Sequence, residues 1–240
     1  THGSILPDRV PFVLLASFPS GPWQANCYVV AESERASCVV IDPGMDAAPA
    51  VARTLELYGL TVEAVLVTHG HVDHVADAGK VADAHGVPVW VPPVDAWMLT
   101  DPVGGVGEFS RGVLAQLGMS SLPLPHQVVD LVDGGRVSLA GLEFDFTLAP
   151  GHTPGSTLIR LADAEQRPIV FCGDVIFAGS IGRMDLPGGS EPAMKRTLRD
   201  VILPLDDDTL LLPGHGSHTD VRAERASNPY LSARYLEARR

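Results

Sequence analysis

The sequence predicts a mixed α/β fold in which two β-rich halves pack together with helices on the outside. Short apolar runs bounded by glycine and proline recur along the chain, which is typical of buried strands. The elements follow in the order strands, helices, strands, helices. A run of three histidines and one aspartate at positions 69–74 comes directly after one of the apolar runs and marks the end of a strand as a candidate functional site.

The first half of the chain supplies short strands and amphipathic helices. Strands are predicted at Phe12–Phe18, Asn26–Ala31, Ser37–Ile41, Val65–Thr68 and Val87–Val91. Helices are predicted at Ala47–Tyr58, which ends at Gly59, at Val72–Ala84 and at Val94–Leu99.

A long segment rich in glycine and proline, Asp101–Pro125, then interrupts the pattern. Loops of this length are uncommon inside a domain and often cover or bind a substrate. Two interpretations stay open for this segment. It is either a lid or substrate loop, or a partly helical surface insertion that packs on itself.

The second half returns to strands. They are predicted at Val128–Val132, Arg136–Leu139, Leu142–Leu148, Ser156–Leu161, Pro168–Cys172 and, as the last strand, Thr209–Leu212. A helix begins after Ser190, a candidate N-cap, and runs to about Ile202, and a final helical piece covers Pro229–Arg239. No linker divides the chain, so residues 1–240 are expected to form one domain, with Thr1–Ser4 as a processed end or a cloning remnant.

The composition excludes several classes of protein. Hydrophobic residues make up 45% and charged residues 19%, as in soluble globular proteins. A net charge of −12 argues against binding to nucleic acid phosphates. No apolar run has the length of a membrane span, and no signal peptide is recognisable. Cys27, Cys38 and Cys172 lie in apolar strands without paired spacing, which favours a cytoplasmic protein.

The candidate site is a metal site. His69 and His71 are two positions apart, so in an extended segment both side chains leave on the same side. Asp73 and His74 then fall at the start of the next helix. Imidazole and carboxylate are preferred zinc ligands, and four of them in six residues exceed what one ion takes from so short a run.

Three further polar residues stand in the same setting, beside glycine at the end of an apolar strand. They are His152, Asp174 and His215. With the first four they make seven candidate ligands, which is too many for one tetrahedral zinc and suits two ions that share a bridge. Ser156 and Ser180 are better explained as strand and turn residues than as nucleophiles.

These residues carry a resemblance to a known family. The run Thr68-His69-Gly70-His71-Val72-Asp73-His74, followed by His152, Asp174 and His215, resembles the metallo-β-lactamase superfamily of metal-dependent hydrolases. Within it, the segments Pro150–Ser156, Phe177–Arg183 and Asp185–Gly189 are similar to the short glyoxalase II-like, or hydroxyacylglutathione hydrolase-like, branch. The resemblance implies a four-layer αβ/βα sandwich with the site at one edge.

The resemblance also implies a ligand set. The first ion would be held by His69, His71 and His152, the second by Asp73, His74 and His215, and Asp174 would bridge the two. Zinc is expected first, and iron or manganese suit the same ligands. Cys172 lies two positions before Asp174 and is not expected to be a ligand.

The expected activity is hydrolysis of a small-molecule thioester, such as a 2-hydroxyacyl thioester. Two cations lower the pKa of a shared water toward ~7, and the resulting hydroxide attacks the carbonyl carbon. Asp73 is the candidate residue to orient that water or accept its proton. The alternatives are a persulfide dioxygenase with a single iron and a lactone or lactam hydrolase on the same fold.

Two residues outside the ligand set keep two interpretations each. Arg183 either contacts the substrate, as basic residues of this segment do in larger glyoxalase II relatives, or pairs with Asp185. Asp42 either accepts a hydrogen bond from a ligand imidazole or shapes an Asx-type turn. Few residues follow His215, which leaves glutathione as the thiol carrier open to question. The oligomeric state is not predicted.

Overall fold

Two β-sheets packed face to face form the centre of the computed structural model, which describes residues 8–10, 13–161 and 167–238. In these ranges the strands are β1 Asp8–Val10, β2 Val13–Ser20, β3 Ala25–Ala31, β4 Ser37–Ile41, β5 Thr61–Leu66, β6 Val89–Val91, β7 Val128–Asp130, β8 Arg136–Leu139, β9 Leu142–Leu148, β10 Thr157–Leu161, β11 Ile169–Gly173, β12 Ile176–Phe177, β13 Ser180–Ile181, β14 Leu210–Pro213 and β15 Thr219–Asp220. The first sheet runs from β1 to β7 in sequence order, and the second has the order β15-β14-β11-β10-β9-β8. β12 and β13 form a separate hairpin.

Helices cover the outer face of each sheet. They are α1 Ala48–Tyr58, α2 Val72–Val75, α3 Ala78–His85, α4 Pro102–Val106, α5 Arg111–Gln116, α6 Glu191–Thr197, α7 Val221–Ser227 and α8 Ala233–Leu236. α1 and α3 pack on the first sheet, and α6 and α7 pack on the second. The resulting αβ/βα layering confirms the fold that the resemblance implied.

The core between the sheets explains why their strands are so apolar. In β4, Val39 and Ile41 face the second sheet while Cys38 and Val40 face α1, so the strand is buried on both faces. Across the interface, the rings of Tyr28 and Phe171 meet edge to face with 5.2 Å between their centroids. Burial of these side chains fixes how the two sheets dock.

Parallel pairs of strands determine where the site lies. β4 and β5 are parallel, and Ile41 pairs with Leu66 at their carboxyl ends. β11 and β14 of the second sheet are also parallel, and Gly173 pairs with Pro213 at theirs. The loops after these four strands meet at one edge of the sandwich, the usual position for function in sheets of this kind.

The predicted helix Val72–Ala84 is wrong as one element, because it is interrupted between α2 and α3. The interruption is at Asp77, whose backbone N–H donates to Pro43 O (3.0 Å) and whose carboxylate accepts from Ala48 N (2.9 Å). These partners lie far away in the sequence, so the break has no local signal. It leaves Asp73 and His74 on a single helical turn.

The strand predicted at Val65–Thr68 also differs from the structure. β5 begins earlier, at Thr61, because its first half pairs with β4 although Thr61 and Glu63 are exposed. It ends at Leu66, since the backbone N–H of Thr68 donates to Asp42 Oδ1 (2.7 Å) instead of continuing a ladder. The final strand was missed, because β15 is only two residues long and follows the predicted last strand.

The segment Asp101–Pro125 contains α4, a 3-10 turn at Glu108–Ser110 and α5, so it is partly helical. It does not pack only on itself, because Val103 and Leu114 pack against Val72 and Ala76. A role as a lid or substrate loop stays a prediction. The predicted helix Val94–Leu99 is a 3-10 turn at Ala96–Leu99. Residues 1–4, Phe12 and Arg239 lie outside the described residues. In the described ranges, none of the helices has the length and apolar character needed to cross a membrane.

Candidate metal centre

The seven predicted ligands come together at the shared edge of the two sheets. The ligand atoms of His69, His71 and His152 lie within 4.8 Å of one another. Those of Asp73, His74 and His215 form a second group with the same limit.

Asp174 lies between the two groups. Its Oδ1 is 3.4 Å from His74 Nε2, and its Oδ2 is 3.5 Å from His152 Nε2 and 3.6 Å from His215 Nε2. It therefore faces residues of both groups.

Backbone carbonyls orient two of the imidazoles. His152 Nδ1 lies 2.8 Å from Arg183 O, and His215 Nδ1 lies 3.1 Å from Trp23 O. Because a carbonyl oxygen can only accept, each Nδ1 must carry the proton. The Nε2 atom of each ring is then the one that can coordinate a metal, which is how ligand histidines are commonly prepared. It lies 3.5 Å (His152) and 3.6 Å (His215) from Asp174 Oδ2, and Nε2 of His152 also lies 2.8 Å from His71 Nδ1.

Asp42 and Thr68 orient two more rings. Asp42 Oδ2 accepts from the Thr68 hydroxyl (2.7 Å) and lies 3.0 Å from His74 Nδ1. The Thr68 oxygen, having used its proton, can accept from His69 Nδ1 at 3.1 Å. Asp42 thus contacts a ligand imidazole, as the first of its two interpretations held, and its network turns Nε2 of both rings into the site.

Unpartnered buried atoms at this place fit a bound cation. Nε2 of His69, His71 and His74 and Oδ1 of Asp174 are buried without a hydrogen-bond partner among the described residues. Leaving such groups unpaired is costly, and the loss is avoided when they coordinate a metal. Soft-to-borderline nitrogen donors together with carboxylates are the ligand types of divalent transition metals.

The electrostatics favour the same occupant. Burial lowers the pKa of His69 well below its usual range, and the imidazoles of His74 and His152 add to this effect. Burial and the charge of His152 lower the pKa of His71 to about 4. Burial acts to raise the pKa of Asp174, but the adjacent His74 lowers it below its usual value. Burial also acts to lower the pKa of His74, but the charges of Asp174 and Asp73 raise it well above its usual range. Carboxylates that hold a proton on a buried imidazole in this way make a centre that attracts cations.

The loop that carries His215 is fixed from the first sheet. Asn26 Nδ2 donates to Pro213 O (2.9 Å), and the Tyr28 hydroxyl donates to the same carbonyl (2.6 Å). A Cβ at Gly214 would lie 2.2 Å from Asp174 Oδ1 and 2.5 Å from His74 Cε1. Glycine is therefore required there so that the strand end can pass between two ligands.

Asp95 is a site residue that sequence reasoning missed. Its side chain is fully buried and accepts from Gly70 N (3.1 Å), Gly155 N (2.9 Å) and Thr153 Oγ1 (2.6 Å). These donors adjoin His69, His71 and His152, so one carboxylate connects the two loops of the first triad. Its only sequence signal was an aspartate before a short helix, which is typical of a surface cap.

A cavity of about 580 Å³ opens onto the ligands from the solvent side. Asp73 and Asp174 line it, whereas His69 and His74 lie behind. Arg183 also lines it, and its Nε and Nη2 donate to the two carboxylate oxygens of Asp185 at 2.6 and 2.7 Å. Arg183 is thus paired with Asp185, as the second interpretation held, and it lies on the cavity wall. Its contact with a substrate stays a prediction.

Cys172 was not expected to be a ligand, and Ser156 and Ser180 were not expected to be nucleophiles. Cys172 is buried, and its thiol donates to Ile176 O (3.3 Å), so it takes no place among the ligand groups. Ser156 is a structural residue that donates to or accepts from Thr153 Oγ1 (2.7 Å). Ser180 lies in β13 on the cavity wall.

Comparison with known proteins agrees with this geometry. A model of the metallo-beta-lactamase superfamily matches residues 20–215. The chain is 43% identical over 222 residues to an uncharacterized protein of Mycobacterium tuberculosis, with 91% of this chain and 98% of the relative covered. It is 33% identical over 224 residues to the hydroxyacylglutathione hydrolase GloC of Haemophilus influenzae, with 90% and 97% covered. It is 32% identical over 216 residues to the probable metallo-hydrolase YqgX of Bacillus subtilis, with 89% and 95% covered.

Two solved structures extend the comparison. The BLEG-1 B3 metallo-beta-lactamase superposes with a TM-score of 0.78 at 31% identity, covering 92% of this chain and 100% of that one. TTHA1623 in a di-iron-bound form superposes with a TM-score of 0.71 at 32% identity, covering 89% and 98%. With this fold, this ligand edge and a family match over most of its length, the chain belongs to the metallo-beta-lactamase superfamily of metallo-hydrolases.

Proposed function

We propose that the protein hydrolyses thioesters of small thiols with the help of two divalent metal ions. The observation that carries the proposal is the pair of ligand groups on either side of Asp174. They contain buried nitrogens and an oxygen without partners, and they adjoin a substrate-sized cavity. Similarity to GloC, a hydroxyacylglutathione hydrolase, supports the choice of a thioester. The acidic chain suits a small molecule better than a nucleic acid.

For the ligands we propose the division that the family resemblance implies. His69, His71 and His152 would hold the first ion, and Asp73, His74 and His215 the second, with Asp174 between them. Zinc is the first expectation. The similarity to TTHA1623, solved in a di-iron-bound form, keeps iron as an occupant of the same ligands, and manganese also suits them.

When bound, such ions supply Lewis acidity and lower the pKa of a coordinated water. The chain itself orients the reactants. Asp73 reaches the cavity with its side chain 19% exposed, and its Oδ2 is 3.2 Å from His215 Nε2. In this position its carboxylate can hold the attacking water and accept its proton. No residue of the chain needs to form a covalent intermediate.

The reaction balances without a further reactant. Water adds to the carbonyl carbon, the carbon–sulfur bond breaks, and a carboxylate, a thiol and a proton result. Arg183 lies at the edge of the cavity, where we propose that it contacts the substrate as a pair with Asp185. Its carbonyl oxygen has the separate task of orienting His152.

Metal content and turnover should be measured together to test this function. Protein purified without added metal should contain two equivalents per chain and hydrolyse acyl thioesters. Asp73→Ala should lower kcat by about 10²–10⁴-fold, the usual contribution of a general base, and should reduce the metal content to one equivalent. Asp130→Ala, at an exposed strand position outside the site, is the matched control and should change neither.

Other outcomes would select the alternatives. One equivalent of iron with oxygen consumption on a persulfide would replace the thioesterase by a persulfide dioxygenase. Turnover of a β-lactam or lactone without thioester hydrolysis would assign the other alternative, consistent with the similarity to the BLEG-1 B3 metallo-beta-lactamase. Unchanged turnover in Asp73→Ala would show that the role given to this residue is wrong.

A further inference from the structure

Much of the cavity wall is apolar. Part of it is supplied by the segment 102–116, which we call the cover segment. The apolar side chains that matter for the argument are Trp23, Val106, Phe109, Val113, Phe177 and Leu186. A cavity of about 580 Å³ that combines such side chains with polar groups is typical of small-molecule sites.

The cover segment is fixed in place rather than hanging free. Val103 and the fully buried Leu114 pack on Val72 of α2, the helix that carries Asp73 and His74, and on Ala76 directly after it. In the middle of the segment, a Cβ on Gly107 would lie 3.7 Å from Pro187 Cδ, so the segment reaches the loop after Arg183. Its position relative to the ligands is therefore determined by packing.

Two side chains of the cover segment are exposed although they line the cavity. Phe109 is 72% exposed, the highest value among the large hydrophobic side chains that are described, and Val113 is 51% exposed. Trp23, across the cavity, is 39% exposed. Exposed apolar surface of this kind beside a reactive centre marks a binding surface, because its cost in water is recovered when a ligand covers it.

The lysine and arginine side chains around the cavity do not favour an anionic carrier. Arg183 is the only lysine or arginine among the described residues that line it. Its guanidinium is engaged by both carboxylate oxygens of Asp185. On the cover segment, Arg111 is engaged in the same way by Glu108, at 2.7 and 2.6 Å. Neither cation is left free to recognise the carboxylates of glutathione, and the chain as a whole has a net charge of −12.

We propose that the cavity selects thioesters with an apolar, medium-chain or aromatic acyl group, and that Phe109 and Val113 are the specificity-determining residues. Biological thiol carriers bear amides and charges, so the apolar part of a thioester is its acyl group, and the apolar wall is where it packs. The inference rests on the proposed thioesterase function and adds the class of acyl group. It also implies that the acyl chain contributes more to substrate recognition than the thiol does.

The test varies the acyl group on one neutral thiol. Thioesters of N-acetylcysteamine with acetyl, butyryl, hexanoyl, octanoyl and lactoyl groups are compared by thiol release. We expect kcat/KM to rise about fourfold for each methylene that becomes buried, up to the octanoyl group. Octanoyl-glutathione should have no advantage over octanoyl-N-acetylcysteamine.

Variants assign the preference to the wall. Phe109→Ala should lower kcat/KM for the octanoyl thioester about tenfold and leave the acetyl thioester nearly unchanged. Val113→Ser should do the same to a smaller degree. The matched controls are Leu57→Ala and Val132→Ser, at positions 62% and 56% exposed outside the cavity, and should have no effect. Because Phe109 is itself mostly exposed, its removal leaves the core intact.

A binding measurement separates recognition from turnover. Calorimetry with the S-octyl thioether of N-acetylcysteamine should show binding with a negative heat-capacity change that Phe109→Ala weakens. Preference for lactoyl-glutathione over octanoyl-N-acetylcysteamine would overturn this inference and leave the thioesterase intact. Failure of every thioester would overturn the proposed function and the inference with it. If Phe109→Ala lowered kcat/KM equally for the acetyl and octanoyl thioesters, the role of the apolar wall would also be refuted.

Discussion

Asp95 offers the sharpest test of how the first triad is held. In Asp95→Ala the backbone N–H groups of Gly70 and Gly155 lose their acceptor in a fully buried place. An unpaired buried donor costs about 1–3 kcal/mol. The Thr153 hydroxyl keeps its hydrogen bond with Ser156 Oγ (2.7 Å), so the loss of its bond to Asp95 adds little to the cost.

Removal of the Asp95 carboxylate also has a stabilising effect. Burial raises the pKa of Asp95 against the effect of its hydrogen bonds, which shows that ionisation of this group is opposed by the interior. Removing it recovers part of that cost. The net expectation is that the free energy of unfolding of metal-free protein falls by about 1–4 kcal/mol, because the cost of two unpaired donors, about 2–6 kcal/mol, is reduced by this recovery.

In Asp95→Ala the loss of metal affinity should exceed the loss that lower stability alone produces. Gly155 lies so close that a Cβ on it would be 2.6 Å from Asp95 Cγ, so the two loops meet at this carboxylate. Without it we expect metal affinity to fall about 10–100-fold, as for other residues that hold ligands in place. Asp95→Asn should be milder, because its oxygen can serve Gly70 and Thr153 while its amide faces only the Gly155 N–H.

Glu224→Ala is the matched control. Glu224 is also buried and also accepts three hydrogen bonds, from Gly179, Thr219 and Asn228, none of which adjoins a ligand. Denaturant unfolding of chelated protein gives the stability of each variant, and competition with a chelator gives the metal affinity. Equal metal affinities in the two variants, or a loss of less than about 1 kcal/mol in Asp95→Ala, would refute the reasoning.

Three further outcomes are expected. Chelation should lower the melting temperature and zinc should restore it, with about 4 kcal/mol of stability at a metal concentration a thousandfold above Kd; a melting temperature that ignores the chelator would contradict the metal site. Burial raises the pKa of the Cys27 and Cys172 thiols and raises that of Cys38 to about 12, which disfavours the reactive thiolate. A thiol reagent at pH 8 should therefore label no cysteine of native protein and three after unfolding, and fast native labelling would show the burial to be wrong. Asp185→Ala should free Arg183 and lower KM for octanoyl-glutathione by about two- to fivefold, as expected for an exposed pair, without changing KM for octanoyl-N-acetylcysteamine.

Much of the fold was predictable because its signals are local. β4, β8 and β9 have the predicted limits, since each is an apolar or alternating run closed by a turn residue. Ser190 is the N-cap of α6 as predicted, accepting from Ala193 N at 3.3 Å. The ligands were recognisable for the same reason, because four of them adjoin and the others each follow a strand beside glycine.

What the sequence did not reveal depends on distant partners. The break at Asp77 follows from contacts with Pro43 and Ala48, and the role of Asp95 follows from contacts with residues 25 to 60 positions away. Asp42 could not be assigned because its partner His74 is 32 positions distant. A buried aspartate and a surface aspartate look alike in a sequence, and only the docking of the sheets decides which of them is which.

Because the ligands are divided between the two sheets, the geometry of the site depends on how the sheets dock. His69 and His71 follow β5 of the first sheet, whereas Asp174 and His215 follow β11 and β14 of the second. Neither sheet alone can complete a ligand group that spans both. The contacts that join the sheets near this edge, above all the hydrogen bond of Tyr28 to Pro213 O, therefore set the distances between ligands. Metal affinity should therefore depend on how well the two sheets are docked. Ions bound by ligands from both sheets hold the sheets together, so their binding free energy also stabilises the interface.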